Sequence, residues 1–339
     1  MSNKAKINWI ENLRAIACIM VIVLHVTGPW LHKLRGVSHL VWNTIALMHS
    51  FTRFCVPVFV MITGALLLSR KYSFAEFYNT KFSRIVRPLL FWSIFYICIY
   101  LLFDWYTGKP ISFLFVSKFV LNSIFYGAAY HLWYLYLILS LYLIIPFLSS
   151  VIQKLSQSQL ATIIIGWFMI LTFAQYFESN VLINYIRLAI GYVGYLILGH
   201  ALLNITLKHQ TGILLSVALI LLGWASTFFP VFKNYNTNAI VLDQWFYYLN
   251  INTVILSAGI FLFLKYVNFE FNLFKSIAKH SFGIYFVHLF YIMLLNKLLV
   301  VNALPLVLYL LLFSIGVLTL SYFTIIGLRK FKFISNYIE

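Results

Sequence analysis

An arginine and a histidine lie within the first apolar run of this chain, which reads ENLRAIACIMVIVLHVTGPWL from Glu11 to Leu31. The run is long enough to cross a bilayer as one helix. Arg14 and His25 are eleven residues apart, which is about three helical turns at ~100° per residue. They therefore share one helix face, roughly 16 Å apart along the axis at 1.5 Å per residue. Because an ionisable side chain inside a spanning helix is costly and usually faces a polar cavity, the pair predicts a functional site within the membrane.

Two structural interpretations compete with that prediction. Arg14 lies near the start of the run, so its side chain can reach the lipid headgroups. His25 lies in the other half, where it can be a hydrogen-bonded core residue. Glu11 stands one helical turn before Arg14, at a spacing that allows a carboxylate to pair with the arginine. The three residues together favour a catalytic role.

The composition excludes a soluble domain. Of the 339 residues, 63% are hydrophobic and only 9% are charged, and the mean hydropathy is +0.94. These values are typical of an all-α polytopic membrane protein, here a single transmembrane domain over residues 1–339. The net charge of +17 is spread over helix ends, so we expect the lipid bilayer as a partner and no nucleic acid. Cys18, Cys55 and Cys98 lack the spacing of a metal site or a disulfide, and we expect no metal.

Apolar stretches of spanning length predict about ten transmembrane helices. The segment 107–130 is amphipathic and polar-punctuated, and we interpret it as an extracytoplasmic loop with a short interfacial helix, the alternative being an eleventh span. The predicted spans are 12–31, 43–69, 86–106, 131–152, 160–177, 184–203, 211–230, 244–266, 281–300 and 304–328.

The orientation follows from lysine and arginine, which concentrate in cytoplasmic loops. With the N-terminus inside, most of these residues fall in cytoplasmic segments, and an even number of spans returns the C-terminus to the cytoplasm. Arg14 then lies on the cytoplasmic side of the membrane and His25 toward the exterior.

A second basic motif, KFSRIVRPLLFW, covers residues 81–92. Arg84 and Arg87 are one helical turn apart at the predicted start of the third span, and Lys81 lies just before them. Two guanidinium groups on one face near a helix start can bind phosphate, assisted by the helix dipole. The alternative is that the positive-inside rule alone places basic residues here.

Five motifs occur in order along the chain, and together they carry a resemblance to a known family. The sequence resembles the acyltransferase family 3 membrane proteins, which include bacterial O-acetyltransferases of surface polysaccharides. Among the members, it is most similar to the single-domain type related to the enterobacterial common antigen O-acetyltransferase and the biofilm polysaccharide modification protein. The motifs are Arg14-x10-His25, FVMITG at 59–64, RIVR at 84–87, HLWYL at 131–135 and SFGIYFVH at 281–288.

The resemblance implies an acyl donor, usually acetyl-CoA, that enters from the cytoplasm of a bacterium. It implies a hydroxyl acceptor on an extracytoplasmic glycan or lipid-linked sugar, and a location in the cytoplasmic (inner) membrane. Arg14 and His25 are then required for transfer, and Arg84 and Arg87 contribute to the donor site. The family often has aspartate at the position of Glu11, a change that keeps the carboxylate.

A histidine suits this chemistry, because it can take the proton of the acceptor hydroxyl as a general base. His25 can alternatively become transiently acylated, and the sequence does not separate the two. Lys81 joins Arg84 and Arg87 as a candidate for the donor phosphates.

Four residues are candidates for binding the acceptor. His131 and Trp133 lie at the predicted outer end of the fourth span, although an interfacial aromatic cluster explains them too. His288 lies in mid-span, and the motif match favours a role over simple packing. Arg53, near the outer end of the second span, either lines the acceptor cleft or extends to the headgroups. We read Arg187, which flanks an outer loop, as solvated.

The sequence leaves alternative functions open. One is O-succinyl transfer within the same family, for which Arg53 would be the cation near the thioester end. Another is a polytopic transporter or flippase for a lipid-linked sugar, with Arg14 and His25 as a substrate relay and no covalent chemistry. Whether the chain forms a homo-oligomer also stays open.

Overall fold

The computed structural model describes residues 3–32, 38–176, 181–233, 244–298 and 305–338, and within these ranges the chain is helical with no β-strand. Two one-turn 3₁₀ helices, Tyr130–Leu132 and Gln244–Phe246, and a π-helical turn, Tyr78–Phe82, interrupt the α-helices. The α-helices are α1 (Asn3–Leu31), α2 (His39–Thr52), α3 (Cys55–Leu67), α4 (Phe74–Phe77), α5 (Ser83–Tyr106), α6 (Phe113–Tyr126), α7 (Trp133–Ile152), α8 (Gln157–Tyr176), α9 (Val181–Asn204), α10 (His209–Lys233), α11 (Ile251–Tyr266), α12 (Asn272–Leu298), α13 (Leu306–Leu328) and α14 (Ser335–Ile338).

The all-α polytopic architecture is confirmed. In the described part of the chain, nine helical stretches are long and apolar enough to cross a membrane. The span predicted at 184–203 falls on α9, of which the described apolar portion, Ile190–Asn204, is shorter than the other nine.

The segment predicted as a loop at 107–130 contains α6, a helix of 14 residues. At 1.5 Å per residue such a helix is roughly 21 Å long, which is less than the ~30 Å hydrocarbon core of a bilayer. This agrees with the prediction of a short helix that does not span by itself. The side of the membrane on which α6 lies stays a prediction.

The span predicted at 43–69 falls within one candidate span, His39–Leu67, in which the helix is interrupted between α2 and α3 at Arg53 and Phe54. Pro57, in the first turn of α3, has no N–H group. The carbonyl of Arg53 therefore lacks its usual donor four residues later, which favours a break in the helix. The break places Arg53 inside a stretch, His39–Leu67, that is itself long enough to span.

The helix that carries Arg14 and His25 lies at the centre of the bundle. α1 packs against α2, α3, α11, α12 and α13. Its residues Trp9, Leu13 and Ala17 are fully buried in the main hydrophobic core. Polar side chains on α1 therefore face protein and internal cavities more than lipid.

Two glycines allow α3 and α9 to cross at very short range. A Cβ atom on Gly64 would lie 2.0 Å from the carbonyl oxygen of Leu196, and one on Gly199 would lie 2.0 Å from that of Met61. Small residues permit this backbone approach between membrane helices. The crossing explains why the FVMITG motif ends in glycine. The preceding residue, Thr63, forms part of a cavity wall that is described below.

Arg84 and Arg87 do not lie near a helix start, which corrects the sequence-based prediction. The helix runs without interruption from Phe74 to Tyr106 through the π-helical turn, and Phe82 keeps helical angles of φ −64° and ψ −45°. The N–H groups around Arg84 are thus inside a helix, and the dipole of a free N-terminus makes no contribution there.

Membrane orientation gives a first prediction. In a variant whose exposed native Cys98 is replaced by serine, a cysteine at Asn236 should react with an impermeant maleimide added to intact cells. Asn236 lies outside the described residues. A cysteine at Ser335, the first residue of α14, should react only after permeabilisation, because positive-inside topology places it in the cytoplasm. Labelling of Ser335→Cys in intact cells would show that the orientation is reversed.

Candidate functional site

Arg14 lines a cavity of about 430 Å³, which we call the Arg14 cavity. Helices α1, α3, α5, α7 and α12 and the π-helical turn contribute its walls. In the described part of the chain, four cationic side chains line it and no carboxylate does. The volume is typical of a site for a small organic ligand, and the charge favours an anionic one. The cations are Arg14, Lys81, Arg84 and Lys279.

Arg14 and Glu11 do not form the predicted direct ion pair within the described part of the chain. The charge of Glu11 nevertheless lies close enough to act on the guanidinium group. A cation inside the membrane without a directly bound carboxylate is a candidate for binding an anionic ligand.

The two arginines of the RIVR motif have different environments. Both side chains are exposed, but Arg84 lines the Arg14 cavity together with Lys81, whereas Arg87 does not line it. Lys279 on α12 also lines the Arg14 cavity, a position that the sequence did not indicate. The role of Arg87 in donor binding stays a prediction that rests on the family resemblance.

Three histidines from distant parts of the chain meet at the other end of the bundle, and we call them the histidine cluster: His25, His131 and His288. The ring centroids of His25 and His288 are 5.3 Å apart, and those of His131 and His288 are 5.2 Å apart. His131 and His288 are buried, with 1% and 0% of their surface exposed. The cluster thus gathers α1, the 3₁₀ turn before α7, and α12 around one point.

The hydrogen bonds of the histidine cluster define part of its proton chemistry. His288 Nδ1 donates to the carbonyl of Tyr285 at 2.6 Å, because a carbonyl only accepts. A neutral His288 therefore has its lone pair on Nε2, which is buried without a partner. Both ring nitrogens of His131 are also buried and unpartnered, while His25 Nδ1 lies 3.3 Å from the hydroxyl of Tyr130.

Unsatisfied buried nitrogens are rare in folded proteins and call for an explanation such as a catalytic role. Among the described residues, no group of His, Cys, Asp and Glu side chains is arranged to hold a metal ion. The histidine cluster is thus suited to accept, hold and return protons.

A small cavity of about 30 Å³, which we call the junction, lies beside the histidine cluster. His25, His131 and Trp133 form part of its wall. Phe59 and Tyr134 line both the junction and the Arg14 cavity, as does Tyr285. The junction is therefore the neighbour of the Arg14 cavity on the side of the histidine cluster.

A third cavity, the Arg53 cavity, has a volume of about 560 Å³ and opens widely to the outside of the fold. Arg53, His49 and Tyr130 line it. His25 lines both this cavity and the junction. The three cavities therefore lie in series, with His25 between the second and the third.

Two of the predicted acceptor-side residues have defined contacts here. Arg53 is only 9% exposed, so it does not extend to the headgroups as one alternative proposed. Its Nη2 donates to the carbonyl of Phe246, and its guanidinium lies over the ring of Tyr248. The indole of Trp133 stacks on the same Tyr248, with centroids 5.8 Å apart.

Sequence reasoning missed several residues of the site. Tyr130 follows a glycine-alanine stretch and precedes His131, and only that adjacency could have indicated it. His49 gave no sequence signal, yet it is buried and its Nδ1 lies 2.9 Å from the hydroxyl of Thr27. The expectation that Arg187 is solvated is wrong, because it is 5% exposed and bonds to Asn250.

Fold and site together define a polytopic helical membrane protein with a cavity lined by cationic side chains and a buried cluster of three histidines. Comparison with protein families makes this specific: the family described as acyltransferase domain matches residues 7–326. The chain belongs to that family and is a membrane acyltransferase. The searches of curated proteins and of solved structures gave no match.

Proposed function

We propose that this protein transfers an acetyl group from cytoplasmic acetyl-CoA to a hydroxyl of an extracytoplasmic glycan or lipid-linked sugar in a bacterial inner membrane. The observation that carries the proposal is the series of three cavities with His25 between the last two. Such a path lets a donor and an acceptor approach His25 from opposite ends.

The donor fits the Arg14 cavity by charge. Coenzyme A carries several phosphate charges, and arginine and lysine are the side chains that bind phosphate best. Arg84, Lys81 and Lys279 provide such groups on two different helical stretches. No described carboxylate lines this cavity, and Glu11, whose charge acts on Arg14, is not part of its wall.

The distance to His25 fits the shape of the donor. Arg14 and His25 are separated by roughly 16 Å along α1 at 1.5 Å per residue. The pantetheine arm of coenzyme A is a narrow chain of comparable length. A donor bound through its phosphates at the Arg14 cavity therefore presents its thioester at the junction.

The transfer step follows from the hydrogen bond of His25. When His25 Nδ1–H donates to the oxygen of Tyr130, Nε2 holds the lone pair. Nε2 takes the proton of the acceptor hydroxyl, and the oxygen forms a bond to the thioester carbon. The carbon–sulfur bond then breaks, and the thiolate of coenzyme A receives the proton from His25. The products are the acetyl ester and free coenzyme A.

The size of the junction supports acetyl over succinyl. Its volume of about 30 Å³ is room for about two water molecules, on a scale where one needs ~10–15 Å³. Among the described residues, no lysine or arginine lines it to neutralise the distal carboxylate of a succinyl group. Val21, Val56 and Phe59 instead provide an apolar wall.

Acyl-chain selection gives a second prediction. Phe59→Ala should enlarge the junction and raise the rate with butyryl-CoA relative to acetyl-CoA about tenfold, because one or two methylenes in an apolar pocket change specificity by ~10–200-fold. Phe51→Ala is the matched control, since Phe51 packs on Phe54 and Trp224 and lines none of the three cavities. The ratio is measured as thiol release from each donor. An unchanged ratio in Phe59→Ala would remove the junction as the acyl-binding site.

The proposed activity is tested by mass spectrometry of envelope glycans from cells with and without this gene. An acetyl ester that depends on the gene, and on His25, supports transfer. Movement of a lipid-linked sugar with no new ester and no requirement for acetyl-CoA would favour the transporter alternative. Succinyl esters in place of acetyl esters would favour O-succinyl transfer.

A further inference from the structure

Arg53 is a buried cation with no anionic partner among the described residues. It lies at the break between α2 and α3, within a membrane-spanning stretch, and is 9% exposed. No ion pair joins it to a carboxylate in the described part of the chain. Burying a charge in this way is costly unless an opposite charge compensates it.

The contacts of Arg53 are all neutral. Nη2 donates to the carbonyl of Phe246, and the guanidinium lies 4.3 Å from the ring centroid of Tyr248 and 5.6 Å from that of Phe246. Nε is buried without a hydrogen-bond partner. A guanidinium has five N–H donors, so these contacts hold it in place and leave donors unused.

The described lining of the cavity in front of Arg53 carries no negative side chain. Among the described residues, neither aspartate nor glutamate lines the Arg53 cavity, whereas His25, His32 and His49 do. The charge of Arg53 acts on both His25 and His49. The cavity therefore favours an anion at the same place where the acceptor has to approach His25.

We propose that the acceptor carries an anionic group, a carboxylate or a phosphate, beside the hydroxyl that is acetylated, and that Arg53 binds this group. The inference rests on the proposed function, because it assigns the Arg53 cavity to the acceptor. The shared chemistry is a planar or tetrahedral oxyanion that accepts hydrogen bonds from the guanidinium. A uronic acid provides a carboxylate, and a lipid-linked sugar provides a phosphate.

The test uses the purified full-length protein and three acceptors that differ in charge: p-nitrophenyl glucuronide, farnesyl-phosphate-linked glucose and p-nitrophenyl glucoside. Calorimetry without acetyl-CoA measures binding, so the result does not depend on catalysis. We expect wild-type protein to bind at least one anionic compound about tenfold tighter than the glucoside, a difference of ~1.4 kcal/mol. The glucuronide arm reports a carboxylate and the lipid-phosphate arm reports a phosphate.

Arg53→Gln should remove that preference, and Arg53→Lys should retain part of it because the charge is kept. Acetyl-CoA binding, which uses the Arg14 cavity, reports that each variant is folded. Where acetylation is measured, Arg53→Gln should raise KM for the anionic acceptor and change kcat much less.

Equal wild-type binding of the charged and neutral compounds would overturn the proposal, as would an unchanged preference in Arg53→Gln. If Arg53→Gln lowered kcat for every acceptor and left KM unchanged, this would also overturn the proposal. Arg53 would then be assigned to the oxyanion of the reacting thioester. If wild-type protein prefers the anionic compounds in binding but acetylates none of them, the result would count against the proposed function alone.

Discussion

Replacing His25 by alanine should abolish acyl transfer and leave acetyl-CoA binding largely unchanged. His25 lines both the junction and the Arg53 cavity, whereas the donor phosphates bind at the Arg14 cavity, roughly 16 Å away by helix rise. We expect a rate loss of about 100-fold or more, because a positioned general base contributes ~10²–10⁴-fold. His25→Gln should fail too, since an amide keeps hydrogen bonding and does not take up the proton.

The matched control for this prediction is His200→Gln. His200 lies on α9, bonds to Ser69 and Asn204 and lines none of the three cavities. Acyl transfer is measured as ester formation, and donor binding by calorimetry on the same samples. Activity within about threefold of wild type in either His25 variant would be incompatible with general-base or covalent catalysis by this residue. His288 or His131, whose rings complete the cluster, would then have to take that role.

The second large effect concerns the donor. Arg84→Ala should weaken acetyl-CoA binding by about tenfold, because a hydrogen bond to a charged group contributes ~1.5–3 kcal/mol and the cavity is partly open to water. Adding Lys279→Ala should weaken it further, since both side chains line the Arg14 cavity. Expression should survive, because Arg70 and Lys71 still mark this end of the helix as cytoplasmic.

Arg87→Ala is the sharpest control for donor binding, because Arg87 belongs to the same motif and is exposed outside the cavity. We expect its effect on acetyl-CoA affinity to be clearly smaller than that of Arg84→Ala, with both measured by calorimetry at the same salt concentration. Equal losses in the two variants would extend the donor site beyond the cavity. If neither variant lost acetyl-CoA affinity, both arginines would serve only as signals of membrane topology.

The helical spans and the placement of Arg14 and His25 on one helix were accessible from the sequence. Both depend on local periodicity and hydropathy, which act within a single segment. The proximity of His25 to His131 and His288 was not predictable in this way. These residues are separated by more than a hundred positions, so only the packing of α12 and α7 around α1 brings them together. The family motifs indicated the residues and gave no contacts.

Other features were not predicted from the sequence because tertiary context overrides local pattern. The helix interruption at Arg53 lies inside a stretch long enough to span the membrane, and Pro57 is the local signal for it. Lys279 reads as an ordinary cytoplasmic lysine until α12 places it in the Arg14 cavity. The phosphate site predicted from a helix N-terminus was wrong in its physical basis, since the π-helical turn continues the helix past Arg84. The cationic side chains, and not a helix dipole, make that cavity suitable for an anion.

The central claim is that an acetyl group crosses from a donor at the Arg14 cavity to an acceptor beyond His25. Inverted membrane vesicles expose the cytoplasmic face and enclose the native envelope glycan, so labelled acetyl-CoA can be supplied from outside. We predict that label accumulates as an ester on the enclosed glycan and is resistant to an added esterase until detergent opens the vesicles. Vesicles with His25→Ala should show none. Label that the esterase removes without detergent, or equal labelling in His25→Ala vesicles, would contradict transfer through this path.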